Sequence, residues 1–201
     1  MSLRRGVASC GFSVALLMSG CTTSAAGQAQ PVPGSGGADS SAAATSLPPR
    51  PAELSVAGVD PCALLPESQR ASLEIDRPPL RPSIGPDPVV GGAICTFSVA
   101  AWGVYGVDVS PTFTVAAWIE RTQNKAQDNR VTAVGGYPAV VTYGSAESGG
   151  CIVVVDIASD SVLAVTITDR RDDVVQDGKV VCANAEKAAG VALTTLQAMQ
   201  K

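Results

Sequence analysis

The stretch Cys151–Thr168, CIVVVDIASDSVLAVTIT, decides the fold. Two runs rich in valine and isoleucine, Cys151–Ala158 and Ser161–Thr168, flank the pair Ser159-Asp160. β-Branched residues suit a pleated, half-buried surface, and two polar residues between such runs make a hairpin turn. Working outward, the period of two recurs upstream. Ala93–Val99 and Val104–Val109 read as strands about a turn at Ala101–Gly103, and Val131–Val134 and Ala139–Tyr143 as a hairpin about Gly135-Gly136-Tyr137-Pro138. Val115, Trp118 and Ile119 sit at i, i+3, i+4, which predicts a helix over Pro111–Gln123. Downstream, Val181, Ala185, Ala188, Ala192, Leu196 and Met199 form one apolar stripe on a long helix, Gly178–Met199. Near the start, Val56–Val59 reads as a short strand. Asp60-Pro61 reads as a capped helix opening, and Pro66-Glu67 as a second start reaching Leu73. Five prolines and three glycines make residues 75–92 an irregular loop. Strands consecutive in sequence and joined by hairpins, with helices around them, predict an α+β domain over residues 54–201. Its sheet is antiparallel, with flanking helices and a long C-terminal helix.

The N-terminus is an address. Arg4 and Arg5 precede an apolar stretch, Gly6–Met18, too short for the ~20 residues of a spanning helix and right for a signal peptide over residues 1–20. Leu17-Met18-Ser19-Gly20-Cys21 resembles a bacterial lipobox, which implies cleavage before Cys21 and a lipid on its sulfur. The expected location is the extracytoplasmic face of the cell membrane, held by that anchor. Residues 21–53 then read as a flexible tether. Of the 31 residues from Thr22 to Ala52, 25 are Gly, Ser, Thr, Pro or Ala, so there is little to bury. A coil of that length reaches about 30 Å.

Charge and composition exclude several functions. The chain carries a net charge of −4, and losing the signal removes two arginines and no acid, which takes it to −6. With aromatics at 4%, nucleic acid is not an expected partner. The chain has no histidine, so histidine-based triads, dyads and metal sites cannot be built from it.

Cys10 leaves with the signal and Cys21 takes the lipid, which leaves Cys62, Cys95, Cys151 and Cys182. An even number in an oxidising compartment predicts two disulfides, and no Cys-x-x-Cys suggests redox or zinc chemistry. Cys62–Cys95 with Cys151–Cys182 is the favoured pairing, each closing a loop of about thirty residues. Cys62–Cys182 with Cys95–Cys151 stays open as the alternative.

The segments VDPCALLPESQRASLEI (59–75), ICTFSV (94–99), GGYPAVV (135–141) and GGCIVVVDI (149–157), with a cysteine opening the last helix, carry a family likeness. The chain resembles the actinobacterial lipoproteins grouped as domain of unknown function 3558. Asp-Pro-Cys-Ala-Leu-Leu at 60–65 is the most specific element, and Phe97 stands where the family pattern has tryptophan. The resemblance implies an exported envelope lipoprotein and brings no activity with it.

A search for chemistry finds no Gly-x-Ser-x-Gly elbow, no phosphate-binding loop and no Ser-x-x-Lys. Asp108 and Asp156 are the in-strand acids, and both are expected on a solvated face. The run Asp169-Arg170-Arg171-Asp172-Asp173 reads as an exposed mixed-charge loop. The expectation is therefore a protein that is not an enzyme and has no cofactor. It would be a binding module for an envelope lipid or glycan, or alternatively an interaction protein docking to a membrane or envelope protein. An apolar cavity would favour the first, and an exposed patch containing Trp102, Tyr105 or Trp118 the second.

Overall fold

Six runs of alternating residues pair into one antiparallel sheet. They are β1 (Ala93–Val99), β2 (Gly103–Ser110), β3 (Asp128–Val134), β4 (Tyr137–Tyr143), β5 (Gly150–Asp156) and β6 (Val162–Asp169), in the spatial order β1-β2-β6-β5-β4-β3. The computed structural model describes residues 47–81, 90–123, 128–144, 150–171 and 177–200. Cys21 and the signal segment lie outside the described residues, as does the tether up to residue 46.

The central hairpin forms as its sequence dictates. Ala158 and Ser161 exchange backbone hydrogen bonds of 3.2 and 3.4 Å around Ser159-Asp160. Its register sets Cys151, Val153 and Val155 against Ile167, Val165 and Leu163. The β3–β4 turn is tighter than expected. Gly135 and Gly136 both take positive φ, +54° and +85°, the conformation that a two-residue hairpin turn needs and glycine supplies. Tyr137 and Pro138 therefore belong to β4. Pro138 pairs with Ala133, while the pairing of β4 with β5 begins only at Ala139, so the missing proline N–H leaves no gap in that ladder.

Helices cover both faces. Helix α3 (Gly178–Met199) lays Val181, Ala185, Ala188, Ala192 and Leu196 on one face, over a core that includes Phe97, Tyr105, Val107, Leu163 and Val165. Alanines in that stripe let the helix approach the strands closely. Met199, expected in the stripe, is exposed. On the other face, the crossing from β2 to the far edge runs through α2 (Val115–Gln123). It starts later than the sequence suggested, because the Thr114 hydroxyl accepts the Ala117 N–H at 3.1 Å and caps the helix there. Val115 and Trp118 pack on Val140, Val154, Val162 and Ala164.

That second layer corrects the reading of the two acids. Alternation does turn Asp108 away from the main core, yet the face it reaches is covered, and Asp108 is only 1% exposed. Asp156 lies on the same face, half-buried and bound to Arg50 at 2.7 Å. Facing away from one core is not facing water when the reverse side of the sheet is covered as well.

The N-terminal segment is tied down upstream of Leu54. Leu47 packs on the α2-face cluster, the Leu54 N–H donates to Ile157 O at 2.9 Å, and the Gln200 side-chain amide bonds both the N–H and the carbonyl of Ser55, at 3.1 and 3.0 Å. Val56–Val59 is a turn rather than a strand, with the Val59 N–H on Val56 O and Gly58 at φ +70°. Asp60 caps a 3-10 turn, Pro61–Ala63, through the Cys62 N–H at 3.0 Å. Pro66 then opens the short helix α1 (Glu67–Arg70), which runs into a second 3-10 turn, Ala71–Leu73. Further along, Leu80 exchanges both backbone bonds with Thr96, at 2.8 and 2.9 Å, and covers the outer edge of β1.

Two disulfides staple these layers, Cys62–Cys95 and Cys151–Cys182, with Cα separations of 5.1 and 5.2 Å. The alternative pairing is thereby excluded. The domain has two unlike poles. At one, the N-terminal segment meets the ends of β5 and α3. At the other, β4 and β6 end while β3, β5, β2 and α3 begin.

Candidate functional site

The pole away from the incoming segment holds a cavity of about 650 Å³ that opens to solvent. Its position follows from how α3 starts. Asp177 accepts the Lys179 N–H at 2.9 Å and caps the helix. Gly178 follows, and a Cβ there would lie 2.6 Å from the ring of Tyr143, the last residue of β4. Any larger residue would force that ring to move before the helix could begin there. The Cys151–Cys182 bridge then fixes the first turn of α3 to β5.

Tyr143 and Val141 give the cavity an apolar wall, and Asn129, Arg130, Lys179 and Glu186 supply polar groups around it. Arg130 and Glu186 form an ion pair at 2.6 Å across β3 and α3, so the charges there largely cancel. Asn129 is held from behind by a closed set of hydrogen bonds. Its Nδ2 donates to Thr122 Oγ1 at 2.6 Å, and its Oδ1 accepts from Thr142 Oγ1 at 2.7 Å. Thr142 in turn accepts the Trp118 indole N–H at 2.8 Å. The indole is 4% exposed, so Trp118 anchors its helix in the core as its spacing suggested. An aromatic ring, an amide and a guanidinium–carboxylate pair can hold a ligand's hydroxyls and apolar C–H faces. They contain no nucleophile beside a base.

The other corner of this pole is built around Trp102. Glu74 takes a left-handed conformation (φ 59°) at the end of a 3-10 turn, and its carboxylate accepts the Trp102 indole N–H at 2.8 Å. Trp102 meets Tyr105 edge-on, with centroids 5.3 Å apart. Burial, with the Glu74 charge adding to it, pushes the Tyr105 hydroxyl up to about 12. Asp169, expected in an exposed loop, is the last residue of β6. Arg171 grips both its oxygens, at 3.1 and 2.7 Å, and that hydrogen bonding holds its carboxyl below the ordinary range. Asp172 and Asp173 lie outside the described residues.

Asp108 and Asp156 are not brought together. Asp108 pairs with Ala164 and Asp156 with Val162, two strands apart and two residues out of step. Sheet spacings put them about 12 Å apart, beyond the separations of paired catalytic carboxylates. Among the described residues, no group of three or more cysteine, aspartate and glutamate side chains could hold a metal ion, and no helix is long and apolar enough to cross a membrane.

A model of the family described as "Protein of unknown function (DUF3558)" matches residues 16–195. The chain belongs to this family. No curated protein and no solved structure matches it. In this DUF3558 chain, sequence reasoning found the four disulfide cysteines and missed Tyr143, Gly178, Asn129 and Lys179. The one local signal for the cavity was a glycine directly after an aspartate cap, a place where close packing rather than helix propensity selects the residue.

Proposed function

We propose that this DUF3558 protein is a non-catalytic binding module of the cell envelope, held on the extracytoplasmic face by a lipid on Cys21, and that its ligand is a glycan. The observation that carries the reading is the open cavity walled by Tyr143, set at the pole opposite the incoming N-terminal segment. An aromatic wall with a polar rim suits a sugar's C–H faces and hydroxyls, whereas an acyl chain calls for an enclosed apolar cavity. Two disulfides support an oxidising compartment, and the lipobox with its following tether supports anchoring. Of the three aromatics that would mark a protein-binding patch, Tyr105 and Trp118 are buried and Trp102 is half-buried. One observation favours that second reading, an interaction protein: a groove of about 620 Å³ between α1 and the outer side of α3, lined by Pro66, Val191, Thr194 and Ala198 among others.

Native mass spectrometry of the full chain extracted from its own envelope tests this. The expected result is a retained oligosaccharide mass that is lost in Tyr143→Ala at unchanged melting temperature. A retained lipid other than the anchor, or co-purification of a stoichiometric protein with no glycan, would overturn the glycan reading. A Cys21→Ala variant that stays in the detergent phase would overturn the anchor.

A further inference from the structure

We infer that a second site at the same pole, the hollow under the β1–β2 turn, binds the phosphate group of an anionic ester. The hollow measures about 300 Å³, and its charged lining residues are Arg77, Arg170 and Arg171, with the turn Ala100–Gly103 forming its backbone wall. Three of the chain's 14 basic residues thus converge in a protein whose net charge is −4. All three are arginines, whose planar forks match phosphate oxygens in pairs, where a lysine offers only a point charge.

Among the described residues, the acids nearby do not line the hollow, and each is engaged elsewhere. Asp76 accepts the Ala100 N–H at 3.0 Å, Glu74 accepts the Trp102 indole, and Asp169 lies beneath Arg171 with its side chain 5% exposed. Asp169 acts as a positioning residue: by holding Nε and one terminal nitrogen of Arg171, it fixes the direction of that guanidinium. Arg77 and Arg170 are exposed and make no ion pair among the described residues. The Arg170 backbone N–H donates to Trp102 O at 2.9 Å, which holds its main chain beside the turn that lines the hollow. Two guanidiniums with no ion pair among the described residues, beside a third held by Asp169, form a receptor for a doubly bonded anion. This inference is independent of the Tyr143 cavity.

A phosphate ester reaches such a site either as a lipid headgroup or as a soluble molecule, and the test separates the two. The full chain carrying Cys21→Ala, so that no anchor contributes, is titrated with glycerol 1-phosphate in a calorimeter. It is also floated with phosphatidylcholine vesicles and with vesicles of equal parts phosphatidylcholine and phosphatidylglycerol. Saturable binding of the soluble ester, or flotation that needs phosphatidylglycerol, is the expected result and names the source. Adding Arg77→Gln with Arg170→Gln should weaken whichever is seen at least tenfold, since hydrogen bonds to charged groups are each worth about that factor or more. Arg121→Gln, on α2, is the control and should change nothing. No response in either arm, or equal weakening by the control, would overturn the site.

Discussion

Asp169 and Tyr105 show how single side chains at one corner set the protein's response to pH. Arg171 lowers the Asp169 carboxyl, so the folded state holds the charged form more firmly than the unfolded chain does. The stability this adds is complete above the ordinary carboxylate value of about 4 and is lost as pH falls through the lowered folded value. Tyr105 is the mirror case. Its neutral form is favoured in the fold, so its contribution is complete below its ordinary pKa of 10.0 and lost as pH rises through about 12. Urea midpoints measured against pH should therefore show a flattened acid limb in Asp169→Asn and a flattened limb between 10.0 and 12 in Tyr105→Phe. Unchanged limbs would show that neither group is coupled to folding. Asp156 belongs at this scale too. Its oxygen is bound to Arg50 in a mostly buried pair, so its removal leaves a guanidinium partly out of water, an outcome that an exposed strand acid would not produce.

At the scale of elements, α2 depends on a polar ring more than on apolar area. The helix has nine residues, and its buried side chains are Val115, Trp118 and Thr122. The bonds linking Trp118, Thr142, Asn129 and Thr122 join it to β3 and β4. Thr142→Val keeps the shape and removes both the acceptor for the indole and the donor to Asn129. Leaving buried polar groups unmatched costs about 1–3 kcal/mol. The expected result is a lower urea midpoint together with loss of the Trp118 share of the near-ultraviolet tryptophan signal, and an unchanged midpoint would make the ring incidental. This element also shows where sequence is informative. The Val115–Trp118–Ile119 spacing reveals a helix without help, because periodicity is local. That α2 leads β3 to the far side of the sheet, so that β2 neighbours β6, is not written in any window of residues. The cavity was hidden for the same reason: Tyr143 and Gly178 meet only after β4, β5, β6 and α3 have assembled. Alternation gave the strand faces correctly and misjudged their exposure at Asp108, because the covering layer is a tertiary fact.

For the molecule as a whole, the two bridges tie the N-terminal segment to β1 and α3 to β5, spanning 33 and 31 residues. Closing loops of that size limits the unfolded chain and stabilises the fold by about 3–4 kcal/mol each. Cys62→Ser with Cys95→Ser, and Cys151→Ser with Cys182→Ser, should each lower the denaturation midpoint, and only the second pair should loosen the Tyr143 cavity. Peptide mapping without reductant should recover the two bridged pairs and no free thiol among the four. Two free thiols in exported protein would break this account. The cysteine spacing limited the pairing to a favoured and an alternative solution, and the choice came from which strands lie near which helices.

The segment that lies along β1 has a further consequence for self-association. Ordered fibres grow because every added sheet offers a fresh hydrogen-bonding border on its far side. In this sheet Leu80 already occupies part of one border, while among the described residues nothing pairs with the outer border of β3. Strand-to-strand contact between two copies through β3 would bring the two β1 borders to the outside, each interrupted at Thr96 by Leu80 and so a poorer template for a third. A single backbone bridge on one border thus biases self-association toward pairs and away from runaway polymerisation.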